Sequence, residues 1–266
     1  KFFYAASIMS SISSAIFLSL DIILAKHYLP PVMAGEYALL ALVGKMIYFF
    51  GSLPAVFMIT FVSRAQGLGK DARKTFHAIL SVTFAMVVVG FTVLGWFGDQ
   101  FVPVLLGAKA ITILPHLLSY AAAIALFTLA NVIVSYHLAK KQYIFPVASL
   151  ITSALMATGI VMSHASITDI VQVIFGAGIF GLSLMTLMHV FESRLAFVTT
   201  NVLDFFEAFT RAPRVARPAH GRRILIFNWR DTRHVFTGGA EVYVHEIAKR
   251  FVAQGDYVML FCGNEG

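Results

Sequence analysis

Six long apolar stretches, separated by short polar or charged connections, constrain this chain more than any other feature. A helix that crosses the hydrocarbon core of a bilayer needs about 20 mainly apolar residues, and it pairs its backbone polar groups internally. The stretches cover approximately residues 2–24, 37–62, 76–97, 111–138, 144–162 and 170–190. Only 12% of the 266 residues are charged, against about 25% in soluble chains. No single water-soluble core hides that much apolar surface. The expected fold is therefore an all-α polytopic membrane protein with six transmembrane helices, and the lipid bilayer is its first partner.

The connections differ in charge. Arg64, Lys70, Arg73 and Lys74 lie between the second and third stretches, and Lys140 and Lys141 between the fourth and fifth. Arg194, Arg211, Arg214, Arg217, Arg222 and Arg223 follow the sixth, whereas the basic residues of the other connections are only Lys26 and Lys109. The positive-inside rule puts both chain ends in the cytosol, and an even helix count agrees. The net charge of +7 is thus a topology signal, not a nucleic-acid footprint, and no nucleic-acid partner is expected. The single cysteine, Cys262, excludes an internal disulfide. The first stretch is too long for a signal peptide and lacks a small-residue cleavage site. Lys1 in place of Met, and Gly266 just after an apparent strand, read as the cut ends of a longer chain.

After Glu192 the composition changes. Residues 195–209 mix apolar positions with Asp204 and Glu207 and read as an amphipathic helix on the membrane surface. A basic, proline-containing tether follows, to Gly221. From Arg222 the pattern is soluble α/β: a buried strand over 224–227, a polar loop ending in Gly238, Gly239, Ala240 and Glu241, a helix over 241–254, and a second strand over 257–261. Val242, Ile247, Ala248 and Phe251 form the apolar side of that helix. The division is a six-helix lobe over 1–193, a linker over 194–221, and a truncated Rossmann-like βαβ segment in the cytosol over 222–266.

Charges within a membrane span are expensive and mark function by default. Asp21 lies near the outer end of the first stretch, and Lys45 about 15 Å into the second at 1.5 Å per residue. We expect the two to face the bundle interior, as a pair or lining a wet cavity; a structural ion pair or a snorkelling lysine is the alternative. Glu36 and Lys26 sit at the outer boundary, where interfacial solvation explains them. Asn131, His116 and His137 on the fourth stretch, and Ser7, Ser10, Ser11 and Ser14 on the first, suit contacts between helices. The transport candidates are Asp21, Lys45, Glu36 and Asn131. Pro54, Pro115 and Pro146 are candidate kinks. Gly176-Ala-Gly-Ile-Phe-Gly181 matches a dinucleotide pattern, but it lies mid-span with no strand before it, so close helix packing is expected. The Gly238–Gly239 pair follows a strand and opens a helix, where free N–H groups and the helix dipole favour a phosphate; a plain turn is the alternative. No zinc motif, catalytic triad or Walker motif is present, so no catalytic residue, metal or cofactor is assigned to the chain itself.

Two resemblances follow from these residues. Asp21-Ile-Ile-Leu-Ala-Lys-His-Tyr-Leu29, Ala34-Gly-Glu-Tyr37, Gly44-Lys45 and the basic loop through Arg64 and Lys74 resemble one lobe, the second, of the polysaccharide exporters. These are the oligosaccharide flippases of the MOP superfamily. Ile224-Leu-Ile-Phe-Asn-Trp-Arg-Asp231, Gly238-Gly-Ala-Glu241, Tyr243, His245 and Glu246 resemble the start of a family 4 glycosyltransferase of GT-B fold. The first resemblance implies flipping of lipid-linked oligosaccharide in a prokaryotic cytoplasmic membrane, with the missing other lobe as partner. The second implies a nucleotide-sugar donor for the complete enzyme, its diphosphate near Gly238 and Gly239. The tail is too short to bury a core of its own, so no glycosyl transfer by this chain is expected. Two rivals stand beside the flippase fusion: a membrane-anchored glycosyltransferase and a drug or cation antiporter of the same superfamily.

Overall fold

The computed structural model describes residues 2–69, 71–192, 221–228 and 239–262. The amphipathic-helix and linker readings, together with Trp229 to Gly238, lie outside the described residues. The chain divides into two compact units, Lys1–Phe205 and Phe206–Gly266.

In the first unit, α1 (Phe2–Ala15), a π-helical turn (Ile16–Leu20) and α2 (Asp21–Tyr28) form one continuous rod. After Pro30, α3 spans Pro31–Gly51, and a 3₁₀ turn (Pro54–Phe57) leads into the short α4 (Met58–Gly67). The third rod is α5 (Ala72–Gly90) extended by a second π segment (Phe91–Trp96), and α6 (Gly98–Leu106) follows it. The long α7 (Leu114–Ala139), then α8 (Ile144–Met162) and α9 (Ile167–Val190), complete the unit. Six of these rods are long and apolar enough to cross a membrane: Phe3–Tyr28, Pro31–Gly51, Ala72–Trp96, Ala110–Ala139, Ile144–Met162 and Ile167–Val190.

The second span corrects the expected limits of 37–62. Pro31 starts it in the first helical turn, where a missing N–H leaves nothing unpaired, and the turn at Ser52 and Leu53 with Pro54 ends it at Gly51. The first span also runs four residues past 24, to Tyr28. Of the candidate kinks, Pro54 breaks the chain into a new helix, whereas Pro115 and Pro146 sit in the first turns of α7 and α8 and bend nothing. Side-chain caps fix two starts. Asp71 accepts from the Arg73 N–H at the head of α5, and Ser166 accepts from the Asp169 N–H at the head of α9.

The most enclosed rod is α7, which packs against α3, α5, α8 and α9. Apolar side chains also cover the outside: Phe49, Phe84, Val89, Leu155 and Phe180 are all exposed. A helix in water carries charge on such a face, so this surface suits hydrocarbon. Small residues set the close approaches. Gly178 lies against the Ala123 carbonyl and Gly181 against Thr152, so two of the three glycines in the Gly176–Gly181 pattern serve packing, while Gly176 faces open space. On α1 the buried serine is Ser13, bonded to Ser149 and Ser153 of α8 at 2.7 and 2.9 Å. Ser11, expected in a helix contact, is exposed.

In the second unit, β1 (Arg223–Asn228) and β2 (Tyr257–Cys262) pair in parallel, with Arg223 opposite Tyr257, and α10 (Gly239–Ala253) lies between them in the chain. Arg222 ties the strand ends together: its N–H donates to the Asp256 carboxylate, which that bond, and next the guanidinium, holds below its usual pKa. The expected buried strand at 224–227 is corrected. Leu225 and Phe227 are exposed, because α10 covers at most one face of a two-stranded sheet and Leu225, Phe227, Tyr257, Met259 and Phe261 share the other. Val242 is likewise exposed, and Val244 takes its place on the buried side of α10.

A methyl group added at Gly44 would stand 2.3 Å from the Tyr120 ring, whereas one at Gly176 would meet nothing within 4 Å. Thermal unfolding in detergent should therefore show Gly44→Ala destabilised by about 1–3 kcal/mol, the usual effect of overpacking, and Gly176→Ala close to wild type. Equal midpoints for the two variants would contradict the packing described.

Candidate functional site

The site is built on the buried stripe of the first rod. Ser13, Phe17, Asp21, Ala25 and Leu29 recur every four residues, and all are buried. An α-helix turns every 3.6 residues or so, and a strict four-residue spacing drifts around its axis. The wider π turn over Ile16–Leu20 takes up that drift and keeps Asp21 in line with Phe17 and Ala25. Asp21 is 0% exposed and about 10 Å from the Tyr28 end of its rod.

From α3, Lys45 reaches Asp21. It lies deeper than expected, about 21 Å from the corrected start at Pro31. Helical side chains lean toward the N-terminus, so the lysine extends back to the level of the carboxylate. Its Nζ donates to Asp21 Oδ1 at 2.8 Å, and Lys45 is only 6% exposed. Two hydroxyls complete the shell: Tyr37 of α3 and Tyr120 of α7 donate to Asp21 Oδ2 at 2.9 and 2.8 Å. Their rings meet edge to face with centroids 6.0 Å apart. Gly44 on α3 is what lets the Tyr120 ring come this close.

A charge inside a low-dielectric bundle is stable only when neutralised and hydrogen-bonded. Asp21 has both: one cation on one oxygen and two neutral donors on the other. The group ties α2, α3 and α7 together. The sequence placed Asp21 and Lys45 inside the bundle but missed Tyr37 and Tyr120, which look like ordinary core aromatics there. Spacing held a partial signal, since Tyr37 and Lys45 are eight residues apart and face the same side of α3.

The remaining candidates lie elsewhere. Glu36 is half-buried and makes no hydrogen bond or ion pair among the described residues. Asn131 accepts from the Ser14 hydroxyl at 3.5 Å and lines a separate cavity of about 10 Å³ with Phe17, Ser149 and Thr152, roughly the space of one water. Gly239, Ala240 and Glu241 form the first turn of α10, and Gly238 lies outside the described residues.

A second polar cluster occupies the opposite end of the bundle. His137, at the end of α7, bonds through Nε2 to Nδ1 of His189 on α9 at 2.8 Å and through Nδ1 to the Gln142 side chain. Gln142 Nε2 donates to Glu192 Oε1 at 3.1 Å, and Lys140 pairs with the same oxygen. Burial, and next Arg73, pull the Lys140 ammonium below its ordinary pKa, with Asp71 opposing. The expectation that His137 joins helices is met by the bond to His189. His189, Glu192 and Gln142 gave no sequence signal, because partners 52 residues apart form no motif.

Among the described residues, these elements define a bundle of six apolar rods with one enclosed charge pair and a polar cluster at the Lys140 end. Comparison with family models, curated proteins and solved structures finds no match.

The enclosed pair predicts a coupled stability pattern. Lys45→Met strands a buried carboxylate and should cost about 3–5 kcal/mol. The double variant Asp21→Asn/Lys45→Met, which removes both charges, should recover most of that loss. Unfolding of the single and double variants in micelles measures the coupling, and additive losses would contradict the pair.

Proposed function

We propose that this chain is one six-helix lobe of a transporter that flips lipid-linked oligosaccharide across a prokaryotic cytoplasmic membrane for polysaccharide synthesis. In this reading the Lys140 end faces the cytosol and a second lobe completes the pathway. The tail begins a family 4 glycosyltransferase that takes a nucleotide-sugar donor, with the Gly238–Gly239 turn at the diphosphate. The parallel β1–α10–β2 unit, whose helix opens at Gly239, supports the tail reading.

The observation that carries the proposal is the Asp21–Lys45 pair. Six apolar spans need no enclosed charge, and one that is retained marks a pathway or a switch. Alternating access requires helices with two packings of similar energy. Asp21 is faced by Lys45 and Tyr37 from α3 and by Tyr120 from α7. Protonation of Asp21 removes the charge that holds all three groups and frees Lys45 for an anionic diphosphate-linked substrate. Release of the substrate returns Lys45 to Asp21. The cycle therefore couples substrate movement to one proton or to the substrate's own negative charge.

The test uses the complete transporter in vesicles with a fluorescent lipid-linked oligosaccharide. Flipping should fall to background in the folded Asp21→Asn/Lys45→Met variant and persist in Lys26→Gln. Wild-type flipping by the double variant would reduce the pair to a structural tie.

A further inference from the structure

The cluster at the Lys140 end has the composition and geometry of a cation site, and this inference stands apart from the transport reading. His137 comes from the end of α7, His189 from the last turn of α9, and Glu192 from just beyond the α9 end at Val190. One donor atom from each lies within 4.8 Å of the other two.

The hydrogen bonds determine which atoms carry lone pairs. Gln142 donates its amide N–H to Glu192, so its carbonyl oxygen faces His137 Nδ1, which must therefore carry a proton and donate it. His137 Nε2 is then unprotonated and aimed at His189 Nδ1, 2.8 Å away. An outer partner that holds one ring nitrogen so that the other presents its lone pair is the usual support of a metal-bound imidazole. Aromatic neighbours hold the rings: Phe145 stacks on His137 at 3.5 Å between centroids, and Phe76 lies 5.0 Å from His189. On Glu192, Lys140 and Gln142 both use Oε1. Oε2 has no partner among the described residues, so it is open to a cation while Lys140 stays in place.

Two imidazoles and a carboxylate are a recurrent donor set for zinc, with bonds of about 2.0–2.2 Å. Tetrahedral coordination puts neighbouring nitrogens roughly 3.3 Å apart, so a cation between His137 Nε2 and His189 Nδ1 asks the rings to open by only about 0.5 Å. With both rings neutral, the His189 proton moves from Nδ1 to Nε2 and none is released. Three protein ligands leave a fourth position for water. Beside His189 lies a cavity of about 480 Å³, lined also by His77, Ser81 and Thr186.

We propose that His137, His189 and Glu192 bind one divalent transition-metal ion of the zinc type, which staples the ends of α7 and α9. The test is a titration of the full chain, purified without a histidine tag, with cobalt(II) and then zinc(II). One cobalt per chain should bind with the intense visible absorption of a tetrahedral site, and zinc should displace it and raise the unfolding temperature. His189→Gln and Glu192→Gln, both at partly exposed positions, should each weaken binding at least about tenfold, the lower bound for loss of even an outer-sphere partner. His77→Gln and His164→Gln should leave binding unchanged. Absence of stoichiometric binding, a weak octahedral spectrum, or wild-type affinity in His189→Gln and Glu192→Gln would overturn the site.

Discussion

A carboxylate inside a bundle of apolar helices must be neutralised where it stands, because neither lipid nor packed side chains solvate it. Much of the organisation of this molecule follows from that requirement at Asp21. The π turn before it sets its direction, Lys45 bends back along α3 to meet it, and Gly44 gives up its side chain so that Tyr120 can reach it. Three helices that otherwise touch through non-directional apolar contacts thereby acquire one fixed register. Specificity of this kind does not require the pair to add net stability, since desolvation offsets much of the attraction.

The two charged clusters lie at different levels of the bundle, with apolar packing and the Ser13–Ser149–Ser153 and Ser14–Asn131 contacts between them. Around Tyr37 and Tyr120 one core cluster packs α2, α3, α7 and α9; around Phe76 and Tyr136 another packs α4, α5, α7 and α9. The long α7 takes part in both. A shift of α7 along its axis would therefore be felt at the Asp21 network and at the His137 cluster alike.

How much of this was legible in the sequence depended on the range of the signal. The spans were legible because hydrophobicity is a local property summed over about 20 residues. So was the inward direction of Asp21 and Lys45, because an intramembrane charge has few other places to go. The limits of the second span were misread: apolar composition continues past Gly51 into α4, and only the turn around Pro54 divides them. Tyr37 carried only its spacing to Lys45, and Tyr120 carried no signal, since a buried phenol acts as glue or as a ligand according to a neighbour here 99 residues away. His189 and Glu192 failed for the same reason, as their meeting with His137 depends on the parallel packing of α7 and α9, which brings the two C-terminal ends together. In the tail, β1, α10 and β2 fell close to their expected places, but strand burial did not, because composition alone does not reveal which sheet faces are covered.

The most direct measurement is solid-state NMR of the protein in lipid bilayers, with isotope labels at the Asp21 carboxyl carbon and at Lys45 Nζ. A contact of 2.8 Å between Nζ and Oδ1 predicts a strong carbon–nitrogen dipolar coupling, with the chemical shift of an ionised carboxylate. An absent coupling, or the chemical shift of a protonated carboxyl group, would contradict the enclosed pair on which the rest of the interpretation depends.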